Sequence, residues 1–233
     1  MNFEEYLIVI PTFNEKENII NLIEELNSHN FHILVVDDNS PDGTYDLVAN
    51  HNNFNNNIFA IKRSHDKGYG KSVIEGFKFG LVNNYKYIVQ MDSDFSHRVI
   101  DLINMTDFST YDLVIGSRYV VDGNIVGWKW HRKYLSKYAN FFAKFVLNTE
   151  INDLTSGFRI YKSELLELIN YDNITTNGYA FLVELINLIL KENVKIIESP
   201  ITFIDRQKGT SKMSAKIIIE SVLSLLKIKK ESN

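Results

Sequence analysis

Two carboxylates one residue apart, Asp92 and Asp94, leave the apolar run Tyr87-Ile88-Val89-Gln90-Met91. Hard oxygen ligands of this kind suit Mg²⁺ or Mn²⁺ held together with substrate phosphates. A lone D-x-D is more often a solvated turn with helix-capping aspartates, so its position in the chain must decide. Asp37 and Asp38 end a second apolar run, in Val35-Val36-Asp37-Asp38-Asn39-Ser40-Pro41-Asp42-Gly43-Thr44. A carboxylate there accepts hydrogen bonds from a nucleotide base or ribose, and the same residues also make an ordinary turn into a helix. Basic residues form the third group: Arg118, then His131-Arg132-Lys133, then Arg206-Gln207-Lys208-Gly209-Thr210-Ser211-Lys212. Such side chains bind phosphates by charge-assisted hydrogen bonds, bidentate for arginine. Any single one is more often a surface charge. Several of them, in a chain of formal net charge -4, are better explained by more than one phosphate group.

These residues need elements that bring them to one place. Tyr6–Ile10, Ile33–Val36, Ile58–Ile61, Tyr87–Met91 and Leu113–Ile115 are short, β-branched-rich runs of the kind buried parallel strands carry. Ile19, Ile20, Ile23 and Leu26 make an apolar stripe at helical spacing, with Asn14 and Glu17 as a capping-box-like start. Val73, Ile74, Phe77 and Leu81 make another after Gly68 and Gly70. Strands alternating with helices predict an α/β, doubly wound, mainly parallel sheet, Rossmann-like, with helices on both faces. Ligands of such sheets bind beyond the carboxyl ends of the strands. The chemistry-bearing residues follow four of the five runs: Pro11-Thr12-Phe13-Asn14-Glu15, Asp37-Asp38, Asp92-Ser93-Asp94 and Gly116-Ser117-Arg118. That regularity moves the aspartate pair from turn to metal.

The second half is less regular. Tyr134–Leu147 and Tyr179–Leu190 read as helices, Val194–Phe203 as extended, and Ala215–Ile228 as an amphipathic helix. Residues 1–233 therefore read as a single domain, with residues 214–233 a C-terminal amphipathic helix that lies on a membrane surface or packs on the core.

Composition narrows the classes further. At 233 residues, 45% hydrophobic and 23% charged, the chain has the makings of an ordinary globular core. No cysteine is present, which excludes disulfides, thiolate metal sites and cysteine nucleophiles. The charge balance gives no global attraction to nucleic acid. Gly70-Lys71-Ser72 fails as a phosphate-binding P-loop because its first glycine falls at His65, and Gly68-Tyr69-Gly70 lacks the third glycine of a dinucleotide fingerprint, with Val73 there. The first residues lack a signal peptide, and no run approaches the ~20 apolar residues of a bilayer span.

With those residues in hand, the chain resembles the dolichyl-phosphate (polyprenyl-phosphate) mannose synthases, inverting family-2 glycosyltransferases of the GT-A fold. The matching stretches are Pro11–Glu15, Val35–Thr44, Met91–His97, Gly116–Tyr119, Asp153–Arg159, Gly178–Phe181 with Glu184, and Arg206–Met213, in family order. The resemblance implies that Pro11, Phe13, Glu15, Val36 and Asp38 line a guanosine pocket. It implies that Asp92, Ser93 and Asp94 meet the donor diphosphate, with Asp92 and Asp94 as ligands of Mg²⁺ or Mn²⁺. Arg206 and Lys212 would close over that diphosphate, Arg118 would face the acceptor phosphate or the transferred sugar, and Arg132 and Ser136 would take the acceptor phosphate. Asp94, Arg118 and Lys212 are thereby the catalytic expectations. Departures from the family pattern are Phe13 for the usual Tyr, Ser93 for Ala, Ser96 where some relatives place a metal-ligating Gln, and Arg98.

The expected reaction is transfer of mannose from GDP-mannose to dolichyl or polyprenyl phosphate with inversion, metal-dependent. An ionised phosphate acceptor needs no strong base, so neither aspartate is assigned as one. Two alternatives stay open: a UDP-glucose-dependent polyprenyl-phosphate glucosyltransferase, and a non-catalytic nucleotide-sugar-binding protein. A lipid acceptor implies a cytoplasmic protein at the cytosolic membrane face, bound peripherally or through a separate anchoring subunit.

Overall fold

Alternation of apolar side chains along the first strand gives the architecture. In β1 (Tyr6–Thr12), Leu7 and Val9 join one buried cluster, whereas Ile8 and Ile10 join another. A strand apolar on both faces must be covered on both, as parallel strands are. A computed structural model describes residues 2–174, 176 and 179–206. Four further strands fall on the expected runs: β2 (His32–Asp37), β3 (Ile58–Lys62), β4 (Tyr87–Gln90) and β5 (Leu113–Ser117). A short β6 (Asn124–Val126) follows, then β7 (Arg159–Lys162), β8 (Ile196–Pro200) and β9 (Thr202–Ile204).

Seven of these form one sheet in the order β3-β2-β1-β4-β7-β5-β8, and β6 pairs with β9 in a second. All pairs in the large sheet are parallel except those of β7, which runs antiparallel to both β4 and β5. Strand order reverses between β1 and β4, where doubly wound sheets open a crevice for ligand. The helices are α1 (Ile19–Asn27), α2 (Thr44–Ala49), α3 (Tyr69–Val82), α4 (Val99–Thr106), α5 (Trp130–Leu147), α6 (Ser163–Glu167) and α7 (Tyr179–Ile189). Ile19, Leu22, Ile23 and Leu26 of α1 and Leu102 and Met105 of α4 cover one face. Val73 and Phe77 of α3, Leu165 and Leu166 of α6 and Leu185 and Ile186 of α7 cover the other. Helix α3 lies so close to the sheet that a Cβ at Gly76 would sit 2.2 Å from Val9 Cγ1. No larger residue fits there.

One expectation is corrected and another lies outside the described residues. The Asn14–Glu17 capping box does not form: α1 starts at Ile19 after Asn18, and Asn14 is left-handed at φ 59°. The turn before the helix is closed instead by Glu15, whose carbonyl accepts from Asn18 N and Ile19 N. The antiparallel β7 was not foreseen. The C-terminal amphipathic helix, and with it Lys212, lies outside the described residues.

Candidate active site

The ends of β1, β2 and β4 meet at the crevice, and their first job is to hold one another. Asp37 is fully buried and accepts from Thr12 Oγ1 at 3.0 Å, Ser40 N at 2.8 Å and Ser40 Oγ at 2.5 Å. Ser40 Oγ in turn accepts from Asn14 N at 2.9 Å, and Thr44 Oγ1 from Glu15 N at 3.0 Å. The loop Pro11–Glu15 is thus fastened to the loop after β2, with Pro11 paired in register to Val36. Phe13 is left exposed as a flat apolar surface beside this seam. Val36 is different: it is fully buried in the cluster that holds Val9 and Val73. Its side chain is core packing, so its expected place in the lining would fall to its backbone.

Asp38 is also committed. Its Oδ1 accepts from Arg63 Nη1 at 2.5 Å and Ser72 Oγ at 2.9 Å, and its Oδ2 from Gly68 N at 2.7 Å. Arg63 reaches on to the carbonyl of Asp66 at 2.7 Å. The Asp38 carboxylate therefore shapes the loop between β3 and α3. Arg63, to which no role had been assigned, obeys the same rule as the other site residues: it follows directly after a strand.

The aspartate pair sits at the tip of β4. Ser93 and Asp94 are buried and Asp92 is partly so. Asp94 Oδ1 accepts from Ser96 N at 3.1 Å, and its Oδ2 is 2.9 Å from Arg206 Nη2. Arg206 reaches it because the strap after β9 crosses the aspartate loop, where Ile204 N donates to Ser96 O at 3.1 Å. Phe95, next to Asp94, holds a left-handed φ of 61°. For a bulky residue that conformation costs on the order of 1–3 kcal/mol and persists where the surroundings enforce it, often at functional sites.

Burial raises the Asp92 pKa above the ordinary carboxylate range; His97 works against this, Asp94 adds to it and Arg206 opposes it. Two crowded carboxylates with one guanidinium between them are short of positive charge. Among the described residues no cluster of three His, Cys, Asp or Glu surrounds them. The donor set is two hard oxygens, and it fits Mg²⁺ or Mn²⁺ completed by water and substrate phosphate rather than a closed protein cage.

A wall of rings stands behind the pair. His97 is buried, stacks on Phe158 with ring centroids 4.6 Å apart, and meets Phe203 edge-on at 5.5 Å. Its Nδ1 accepts from Asp92 N at 3.1 Å, so the ring carries no proton on that nitrogen. Burial holds its pKa below the usual 6.5 despite the nearby aspartates. Ser156 ties the wall to β5 by donating to Gly116 O at 2.6 Å.

Across Phe203 lies the second cationic group. Arg118 is buried and pairs bidentately with the fully buried Asp153, through Nε and Nη2, each at 2.7 Å. Asp153 also accepts from Arg118 N at 3.0 Å, and its own N–H donates to Glu198 at 2.9 Å. The Arg118 guanidinium lies 5.4 to 5.6 Å from the ring centroids of Tyr119, Phe203 and Trp128. Arg132 stacks on the same Trp128 at 4.0 Å and pairs with Asp205 at 2.8 Å. Ser136 accepts from Tyr119 OH at 2.7 Å. Trp128 thus lies within cation–π reach of both guanidinium groups. Glu184 is buried and accepts from Thr176 N and Oγ1, at 3.0 and 2.5 Å.

A doubly wound α/β sheet whose switch point carries an acidic pair met by Arg206 is the architecture of this protein. Residues 7–169 match Glycosyl transferase family 2, and the chain belongs to that family of enzymes. It is 37% identical over 224 residues to a polyprenol monophosphomannose synthase of Mycolicibacterium smegmatis, covering 94% of this chain and 84% of that protein. It is 36% identical over 222 residues to an undecaprenyl-phosphate mannosyltransferase of Micrococcus luteus, covering 94% of this chain and 91% of that one. Glucosyl-3-phosphoglycerate synthase from Mycobacterium tuberculosis, solved with Mn²⁺, UDP-glucose and phosphoglyceric acid, superposes with a TM-score of 0.69 at 15% identity, over 97% of this chain and 79% of that one. That likeness establishes a shared GT-A-like fold.

Proposed function

We propose that this enzyme transfers mannose from GDP-mannose to a polyprenyl phosphate of the dolichol type, with inversion at the anomeric carbon. The observation that carries the reading is the meeting of Asp92 and Asp94 with Arg206 at the tip of β4, one ring wall away from Arg118 and Arg132. Two anionic partners need positive charge on both sides of that wall, from Arg206 and an ion held by the aspartates on one side and from Arg118 and Arg132 on the other. Similarity to two polyprenyl-phosphate mannosyltransferases over most of the chain favours mannose and a lipid phosphate.

In this reading Pro11, Phe13, Glu15 and the Val36 backbone line the nucleoside pocket, with Asp38 holding its far loop. Asp92, Ser93 and Asp94 face the donor diphosphate, joined by Arg206 and Lys212. Asp92 and Asp94 would hold Mg²⁺ or Mn²⁺, which would supply positive charge against the leaving diphosphate. Arg118, Arg132 and Ser136 receive the acceptor phosphate. One of its oxygens bonds to the anomeric carbon from the face opposite the diphosphate, and the carbon–oxygen bond to GDP breaks with its electron pair going to GDP. The phosphate is already an anion, so the protein contributes orientation and charge neutralisation rather than a base. The test is lipid-extractable label: purified protein with Mg²⁺ or Mn²⁺ and polyprenyl phosphate should move label from GDP-mannose and lose that activity in EDTA. Label arriving from UDP-glucose alone would reassign the donor.

The acceptor brings a membrane into the proposal. No helix of the described residues is long and apolar enough to cross one. Helix α5 has a different character. Trp130, Tyr134, Tyr138, Phe141 and Phe145 are all exposed. At 100° per residue they fall within an arc of about 80°, with Lys133, Lys137 and Lys144 along one edge. An aromatic stripe edged with lysine suits the headgroup region of an anionic membrane. In this reading α5 offers a lipid-facing surface among the described residues. Trp130→Ser combined with Phe141→Ser should cut flotation with phosphatidylglycerol vesicles by about tenfold while leaving the fold intact. Equal flotation of variant and wild type removes α5 from the contact.

A further inference from the structure

We propose that Tyr69 is a positioning residue for Asp92, the last member of a one-way hydrogen-bonded chain running from the sheet core to the aspartate pair. The inference rests on the proposed donor site and adds a residue to it. Tyr69 opens α3, and its hydroxyl accepts from Gln90 Nε2 at 2.8 Å and donates to Asp92 Oδ1 at 3.4 Å. Gln90, fully buried in β4, accepts on Oε1 from Tyr161 OH of β7 at 3.1 Å.

The direction of each bond is determined by its neighbour. Burial pushes the Tyr161 hydroxyl above its ordinary pKa, so it keeps its proton and donates. The Gln90 carbonyl must then face Tyr161, which turns its amide N–H toward Tyr69. With its oxygen accepting there, the Tyr69 proton is directed at Asp92. Such chains polarise one another in a low-dielectric interior.

Sterics hold the hydroxyl where it is. A Cβ at residue 157 would lie 2.5 Å from it, so Gly157 gives it room, and the Tyr69 ring meets Phe181 edge-on at 6.3 Å. Asp92 by itself is far less constrained. Its side chain is one-third exposed (33%), and Nε2 of the His97 ring comes no nearer to Oδ2 than 3.9 Å. Among the described residues Tyr69 makes the one side-chain hydrogen bond to the Asp92 carboxylate. With Oδ1 tied back, Oδ2 is left for a ligand. Groups that orient a metal's ligands are worth about 10–100-fold in affinity.

Tyr69→Phe keeps the ring and removes only the hydroxyl. Calorimetric titration of GDP in the presence of Mn²⁺ should show about tenfold weaker binding in this variant, whereas GDP without Mn²⁺ binds as in wild type and the thermal midpoint holds. A variant that binds Mn²⁺–GDP as tightly as wild type overturns the proposal. Gly157→Ala should weaken the same binding by displacing the hydroxyl, yet add nothing in the Tyr69→Phe background; additive losses count against the chain. Crystals of both proteins grown without ligand separate this from the donor reading. An Asp92 carboxylate turned away in Tyr69→Phe upholds the positioning role even if wild type binds no GDP, and an unmoved one ends it.

Discussion

Asp94→Ala is expected to reduce sugar transfer about a thousandfold, toward background, while the thermal midpoint stays within a few degrees of wild type. The two halves of that expectation have separate causes. Asp94 is buried beside Asp92, and the charge it contributes raises the cost of ionising its neighbour. Deleting it relieves that repulsion. What is lost is the bond from Ser96 N and the pair with Arg206, whose side chain remains 23% exposed and can turn to water. A partly exposed pair contributes little to stability, so gain and loss nearly offset. Nothing offsets the loss of function, because the proposed ion would keep one protein carboxylate and Arg206 would lose its anchor over the diphosphate. Asp94→Asn separates charge from shape, since its amide oxygen still accepts from Ser96 N. It should be as inactive as the alanine variant. Full transfer by either variant takes Asp94 out of the chemistry, and a midpoint fallen by ten degrees or more makes it a structural residue.

The sequence shows the frame of this site more plainly than its fastenings. All five parallel runs before residue 120 appear within two residues of their expected ends, because each is a short β-branched segment closed by polar residues. The antiparallel β7 is hidden because Arg159 breaks its apolar run: a fully buried arginine donating to the carbonyls of Leu154 and Leu182 looks like a surface residue in one dimension. Asn14 and Glu17 mislead for a related reason. Their spacing fits a capping box, but Asn14 is drawn into a left-handed turn by the Ser40 hydroxyl, twenty-six residues away.

The same distinction runs through the site. Residues that carry charge at strand tips were visible as such, and Asp92, Asp94 and Arg206 do lie together. What pairs with what was not. No spacing rule joins Arg118 to Asp153 or Arg63 to Asp38, since those partners meet only after the sheet is assembled. His97, Tyr69 and Trp128 act through ring planes and hydroxyl directions that local sequence does not encode. Only Tyr69 carries a local signal, lying between Gly68 and Gly70.

The pairing of Arg118 supplies the largest expected change in stability. Asp153→Ala should destabilise the protein by about 3–5 kcal/mol, because it strands a buried guanidinium, and lower the thermal midpoint by roughly 10 °C. The arginine would lose both 2.7 Å bonds and its backbone N–H would lose its acceptor, with Tyr119, Trp128 and Phe203 closing off water on the sides they occupy. Replacing both charges by apolar groups is a different experiment. Arg118→Met with Asp153→Leu should recover most of the stability, short of about 1–3 kcal/mol for the orphaned Arg118 amide, since buried ion pairs are often exchangeable for well-packed side chains. Transfer should not recover with it. A double variant that folds like wild type and transfers nothing assigns Arg118 to the acceptor phosphate, because only a binding role survives once its architectural one has been replaced. Recovery of transfer along with stability would mean that Arg118 merely holds the loop around Asp153, and that the acceptor anion is received by Arg132 and its neighbours alone.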